Sequence, residues 1–246
     1  MKKQLLLGLG LCILQINAWS AEITVAAAAS LTDAFKVMAR NFEQKNPNTK
    51  VNLTFASSGT LLQQLRYGAP IDVLATADEQ TMNDAQKTAL IQNQTRTDFT
   101  RNRLVLITAM DNKITLKSLG DLQQTQIQHI ALGNPAHTPA GRYAQASLQK
   151  QGVWNVVQTK MIYTQNVRQA LDYVARGETQ VGFVFSSDVL SQKTKVKVLL
   201  NVPTETEIRY PIAVAKASKQ SAEAAQFIRY VKSAEGQKIL AQYGFQ

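Results

Sequence analysis

The residues best suited to chemistry in this chain are small and uncharged. Val25-Ala26-Ala27-Ala28-Ala29-Ser30-Leu31-Thr32-Asp33 reads as a strand that turns directly into a helix start headed by a serine. A helix start offers unpaired N–H groups and partial positive charge, so it can receive an anion. The alanines let backbone approach whatever sits there. No lysine or arginine lies in the junction, so an anion bound here would be held by neutral dipoles.

Four further segments have the same character. Phe55-Ala56-Ser57-Ser58-Gly59-Thr60 is strand, hydroxyl residues, helix start. Gly133 to Tyr143 places Pro139 at a helix entry with Ala140 and Gly141 in its first turn. Thr164-Gln165-Asn166-Val167-Arg168 opens a helix with an Asn cap. Val184-Phe185-Ser186-Ser187-Asp188 ends a strand in serines. One such junction carries no information; several that converge would build an oxyanion site.

Each residue also has a plainer role. Ser30 with Asp33 fits a capping box, and Ser57 and Ser58 fit ordinary turns and caps. Ala140 and Val167 are plain helix starts. Phe185 reads as packing. Arg142 and Arg168 are expected to face solvent or pair with surface acids. His129 and His137, the only histidines, have no ligand-like companions, so a metal site is not expected. Catalytic patterns are poor: there is no G-x-S-x-G elbow, and Ser147-Leu148-Gln149-Lys150 lies within a helical pattern.

The elements that must position these residues alternate. Strands are expected near 22–26, 50–55, 72–75, 102–108, 129–132, 160–163, 181–185, 196–200 and 209–215. Helices are expected near 31–46, 60–67, 79–89, 139–151, 167–176, 222–232 and 235–243. Such alternation predicts α/β lobes with mainly parallel sheets, whose ligands sit at C-terminal strand ends. Crossovers between lobes are expected around 100–104 and 202–208.

Residues 1–20 read as a signal peptide: Met1-Lys2-Lys3, an apolar run from Leu5 to Ile16, and Ala18-Trp19-Ser20 before a cleavage site. The only cysteine, Cys12, lies within it, so the exported chain would have no disulfide or thiol chemistry. The formal net charge of the 246-residue chain is +10, but the basic residues are scattered, which argues against nucleic acid as a partner.

The same segments carry a resemblance. AAAS-L-T-D, F-A-S-S-G-T, G-A-P-I-D-V, G-N-P-x-H-x-P-A-G-x-Y-A, N-V-R-Q-A-L, G-F-V-F-S-S-D and the terminal Q-Y-G-F, in this order, resemble the periplasmic molybdate-binding proteins of bacterial ABC importers. The resemblance implies a two-lobe periplasmic-binding-protein fold with the ligand cleft between lobes. Lobe I would be 21–101 plus 206–246, and lobe II 102–205. It implies no enzyme activity, no cofactor, capture of molybdate and tungstate, and a monomer that delivers them in the periplasm to an inner-membrane permease with its ATPase. Ser30 and Ser58 would donate through hydroxyl and N–H, Ala140 and Val167 through N–H alone. These residues would approach the metal only through the anion's oxygens.

One residue departs from the pattern. Family members carry a tyrosine at the position of Phe185 whose hydroxyl donates to the anion, so Phe185 would be pocket wall, with Ser186 or Ser187 as candidate replacement donors. Asn134 replaces a more usual aspartate. The alternatives are a binding protein for sulfate or another oxyanion, and an exported serine hydrolase using Ser30 or Ser58 with His137.

Overall fold

Alanine and valine dominate the first strand because both of its faces are covered. A computed structural model describes residues 21–246; the expected signal peptide, its cleavage site and Cys12 lie outside the described residues. Strand β1 (Ala21–Ala28) buries Ile23, Val25, Ala26 and Ala27 completely. It pairs in parallel with β2 (Thr49–Ala56) on one side and β3 (Val73–Ala75) on the other. After β4 (Thr97–Asn102) the chain enters a second sheet, made of β5 (Leu104–Ala109), β6 (Ile130–Gly133), β7 (Met161–Thr164), β8 (Val181–Phe185) and β9 (Val196–Val202). It then returns as β10 (Ile208–Val214).

The sheet orders are β2-β1-β3-β10-β4 and β7-β6-β8-β5-β9. In each sheet four strands share one direction, and the fifth, β10 or β5, runs against both its neighbours. The sheets are therefore mixed, with a parallel majority. The antiparallel strands are those next to the two crossings, where the chain enters a sheet without a helical connection.

Helices α1 (Thr32–Lys45), α2 (Ser58–Arg66) and α3 (Glu79–Lys87) follow β1, β2 and β3. Helices α4 (Pro139–Lys150), α5 (Trp154–Val157), α6 (Val167–Ala175) and α7 (Ser186–Ser191) belong to the second sheet. Helices α8 (Ser221–Lys232) and α9 (Ala234–Gln242) return to the first. The C-terminal ends of β1, β2, β6, β7 and β8 thus lead into helix starts, the arrangement that places ligands in α/β folds.

Two elements differ from the sequence reading. The strand expected at 102–108 is two strands that break at Arg103, where the chain passes between sheets. The serines after Phe185 open the short helix α7, because Asp188 folds back to accept the Phe185 N–H at 3.1 Å.

An aromatic cluster fastens the returning C-terminal helices to the first lobe. Phe227 on α8 meets Phe42 edge-on at 5.3 Å and Phe35 at 6.0 Å, both on α1. Phe35 also meets Phe99 of β4 at 5.9 Å. Phe227 is fully buried. Phe227→Ala should therefore cost about 3–5 kcal/mol in equilibrium urea unfolding. A loss below about 1 kcal/mol would show that α8 docks without this ring.

Candidate functional site

Four helix starts meet at one small cavity, lined by Ala28, Ala29 and Ser30 after β1, Ser57 and Ser58 after β2, Pro139 and Ala140 on α4, Val167 on α6, and Phe185 at the end of β8. The cavity is nearly closed, with about 10 Å³ open to a water-sized sphere. All five sequence-predicted residues, Ser30, Ser58, Ala140, Val167 and Phe185, line it, and none is more than 4% exposed. Two strand–helix junctions come from each lobe. A larger, open groove of about 820 Å³ lies by Glu22, Asp72 and Lys216, at the N-terminal ends of β1 and β3, away from these helix starts.

The caps leave particular N–H groups free for the cavity. The first N–H groups of a helix have no partner within it. At α6, the Asn166 side chain accepts from the N–H of Arg168 and Gln169, at 3.0 and 3.1 Å, and not from Val167. At α4, Pro139 has no N–H and Thr138 makes no side-chain cap, so Ala140 offers the first donor. At α2, the Ser57 hydroxyl takes the Thr60 N–H, and Gly59 N–H donates to the His137 carbonyl at 2.9 Å. Ser58 N–H is left for the cavity. After β1 the chain makes one 3-10 turn, Ala29–Leu31, before α1 begins at Thr32.

That turn overturns the expected capping box. The N-cap of α1 is Leu31, and no side chain caps either helix start. Ser30 Oγ instead lies 2.9 Å from the Tyr210 hydroxyl, and Asp33 accepts from Arg168 at 2.7 Å. The inserted turn rotates Ser30 away from the N–H groups that it would cap.

Ser58 is directed by its partner. Its Oγ accepts the backbone N–H of Ala77 at 2.9 Å. With that lone pair engaged by a fixed donor, the Ser58 proton can go to an acceptor in the cavity.

The arginines also differ from expectation. Arg142, on the second lobe, pairs with buried Asp78 and donates to Thr81 at 2.8 Å, both on the first lobe. Arg168 is held by Asp188 at 2.7 Å on its own lobe and reaches across to Asp33 at 2.7 Å and the Ser30 carbonyl at 3.3 Å. They face the opposite lobe rather than solvent because each neighbours a helix start that meets it. Burial opposes the charge on Arg168, but Asp188 and Asp33 outweigh it and raise its pKa. Burial also raises the pKa of Asp188, against the pull of Arg168. Each guanidinium is matched by carboxylates, and no lysine or arginine lines the cavity.

Ser186 and Ser187 are not the replacement donors that they were expected to be. Ser186 Oγ donates to Asn102 Oδ1 at 2.9 Å, and Ser187 Oγ accepts from Asn102 Nδ2 at 2.8 Å. Both are turned to the crossover, away from the cavity lining. His137 faces Ser57 at 3.1 Å instead of forming a nucleophile–base pair with Ser30 or Ser58. Among the described residues no cluster of three or more metal-ligating side chains occurs, and no helix is long and apolar enough to cross a membrane.

Sequence reasoning missed Tyr210, Asn102, Asp78 and the roles of Arg142 and Arg168. Tyr210 had a signal: a tyrosine in the branched strand Ile208–Val214 buries its ring, and a buried hydroxyl needs partners. The ion pairs across the lobes had none, since their partners lie 64 and 135 residues apart in sequence.

Two lobes joined by two crossing segments, with neutral donors converging between them, define a solute-binding protein. The profile of the family described as "Bacterial extracellular solute-binding protein" matches residues 23–246. The molybdate-binding protein ModA of Haemophilus influenzae is 32% identical over 232 residues, covering 93% of this chain and 91% of that protein. The substrate-binding domain of a putative molybdenum ABC transporter from Clostridium difficile is 31% identical, with TM-score 0.69 over 92% of this chain and 99% of that one. The Azotobacter vinelandii periplasmic molybdate-binding protein has the same fold, with TM-score 0.80 at 21% identity over 91% and 98% of the two chains. The chain belongs to the molybdate-binding protein family of bacterial extracellular solute-binding proteins.

The two lobes meet in close backbone contact at Gly59. A Cβ there would lie 2.7 Å from the Cα and carbonyl oxygen of His137 on the other lobe. Gly59→Ala should hold the lobes apart, weakening molybdate binding more than tenfold in calorimetric titration while the melting temperature of the ligand-free protein stays unchanged. Wild-type affinity would remove this contact from closure. Acid should act at the same contact. Burial first, and Arg142 second, lower the His137 pKa below 6.5. The closed form then binds fewer protons than the open one, so binding should weaken as pH falls below 6.5. His137→Gln should flatten that part of the affinity–pH profile; an unaltered profile would assign the titration elsewhere.

Proposed function

We propose that this chain captures molybdate, and tungstate with it, and delivers the anion to an ABC permease and its ATPase. The observation that carries this reading is the donor set. Free N–H groups of Ser30, Ser58, Ala140 and Val167, with the hydroxyls of Ser30 and Ser58, surround a cavity that no cation lines. Ser30, Ser58, Ala140 and Val167 are the proposed ligands, and Phe185 is wall.

The chemistry supports a fully deprotonated oxyanion. Near neutral pH molybdate is a tetrahedral dianion that only accepts hydrogen bonds, so a donor-only pocket satisfies it. Monohydrogen phosphate carries a proton that would face a donor, and an unpaired buried polar group costs about 1–3 kcal/mol. Sulfate matches in charge but is smaller, so cavity size must exclude it. Tungstate is nearly the same size as molybdate and is expected to bind similarly. With Phe185 in place of a tyrosine, the anion has one donor fewer at that wall.

The further assignments are part of the same proposal. The protein acts in the periplasm as a monomer after cleavage near Ser20. Residues 21–101 with 206–246 form one moving body and 102–205 the other, hinged where the chain passes between sheets. The closed arrangement is what the permease recognises.

Titration calorimetry with molybdate, tungstate, sulfate and phosphate tests the reading. One-to-one binding of the first two, with sulfate and phosphate silent, is expected. Preference for sulfate, or silence toward molybdate, would refute the assignment. Ser58→Ala should weaken molybdate more than tenfold; unchanged affinity would remove Ser58 from the site.

A further inference from the structure

The Ser30 hydroxyl is the one cavity donor whose direction depends on residues far from the cavity. Its only side-chain partner among the described residues is the hydroxyl of Tyr210, at 2.9 Å. Tyr210 is fully buried on β10, and its ring lies 5.8 Å from that of Phe185. Behind it stands Asn102, the last residue of β4, where the chain leaves the first lobe.

The atoms fix the polarity of this chain. Asn102 Oδ1 faces two backbone donors, the N–H of Arg103 at 2.9 Å and of Ser187 at 3.4 Å. A backbone N–H cannot accept, so this atom is the carboxamide oxygen and the other is its nitrogen. That nitrogen donates to Ser187 Oγ at 2.8 Å and to the Tyr210 hydroxyl at 3.2 Å. Tyr210 therefore accepts from Asn102, and because Ser30 Oγ is the other partner of its hydroxyl among the described residues and the sole acceptor within reach, the Tyr210 proton goes to Ser30 Oγ. Ser30 Oγ accepts that proton, and its own is directed elsewhere, toward the cavity.

We propose that Asn102 and Tyr210 form a one-way hydrogen-bond relay that makes Ser30 an obligatory donor to the bound oxyanion, with Tyr210 a positioning residue and the relay a determinant of selectivity against protonated oxyanions. This rests on the reading of the cavity as an oxyanion site. The relay supplies from behind Ser30 a tyrosine hydroxyl that Phe185 cannot supply from the wall. It also ties a ligand donor to the crossover, because Asn102 bonds at once to Ser187 on the second lobe and Tyr210 on the first.

The test is a double-mutant cycle on the full mature protein, read by calorimetry with molybdate. Tyr210→Phe keeps the ring and removes the hydroxyl; it should weaken binding about tenfold. In a Ser30→Ala background the same change should alter affinity less than twofold, because the relay acts only through Ser30. Multiplying losses, or a Tyr210→Phe protein that binds like wild type, would overturn the proposal.

Asn102→Asp supplies a second readout that does not depend on the cycle. A carboxylate cannot donate, so Tyr210 would turn its proton to the new carboxylate and accept from Ser30, leaving a Ser30 lone pair toward the cavity. The ratio of molybdate to phosphate affinity at pH 8, where phosphate carries one proton, should fall more than tenfold. A merely structural role would weaken both anions together, and that result would overturn the relay. Wild-type protein that ignores molybdate would instead refute the function on which the relay rests.

Discussion

The convergence of four uncharged helix starts on one buried cavity is the constraint that organises this molecule, and the proposed dianion would lie there with no counter-charge. Without a cation to offset desolvation, every acceptor lone pair of the ligand must meet a donor, and every donor must lack another partner. Helix starts are where a protein has such N–H groups in fixed directions. The fold brings four of them to one point, and the local chemistry decides which groups stay free. Pro139 removes one N–H, Asn166 and Ser57 take the next ones along, and the Gly59 N–H goes to the other lobe. The alanines and serines at these junctions keep the walls small enough for backbone to reach the anion.

The positive charges that do lie nearby join the lobes to each other. Arg168 is adjacent in sequence to Val167 and grips the carbonyl of Ser30, so one side chain links cavity-lining turns of both lobes. Asp33 and Asp188 balance it, and Asp78 balances Arg142. The acids keep the guanidinium fields from dominating the cavity, which preserves recognition by geometry.

The alternation of strands and helices was legible because both periods are strong and the junction residues are small. Ser30, Ser58, Ala140 and Val167 were legible only together, through the ordered set of motifs; periodicity alone would have left Ala140 and Val167 as ordinary helix starts. The capping box at Ser30 misled, since spacing cannot reveal an extra 3-10 turn. Arg142 and Arg168 misled for another reason: a helix face reads as solvent-facing until a second lobe is laid against it. Asn102 was hidden because its importance comes from the break at Arg103, and a run of branched residues read there as one strand. The strands expected to be mainly parallel are so in direction, with β5 and β10 reversed by the crossings.

The division of donors between the lobes has a consequence for release. Ser30 and Ser58 line the cavity from one side, Ala140 and Val167 from the other, and in the proposed site neither pair alone would satisfy a tetrahedral dianion. Hydrogen bonds weaken steeply with misalignment, and a rotation about the two crossing strands misaligns one whole half-set at once. The grip therefore fails as a unit rather than bond by bond. A protein with a cationic site would hold its anion by long-range attraction through a partial opening. In the proposed cycle a membrane partner would need only to part the lobes slightly to convert a tight site into two weak surfaces, with water finishing the exchange.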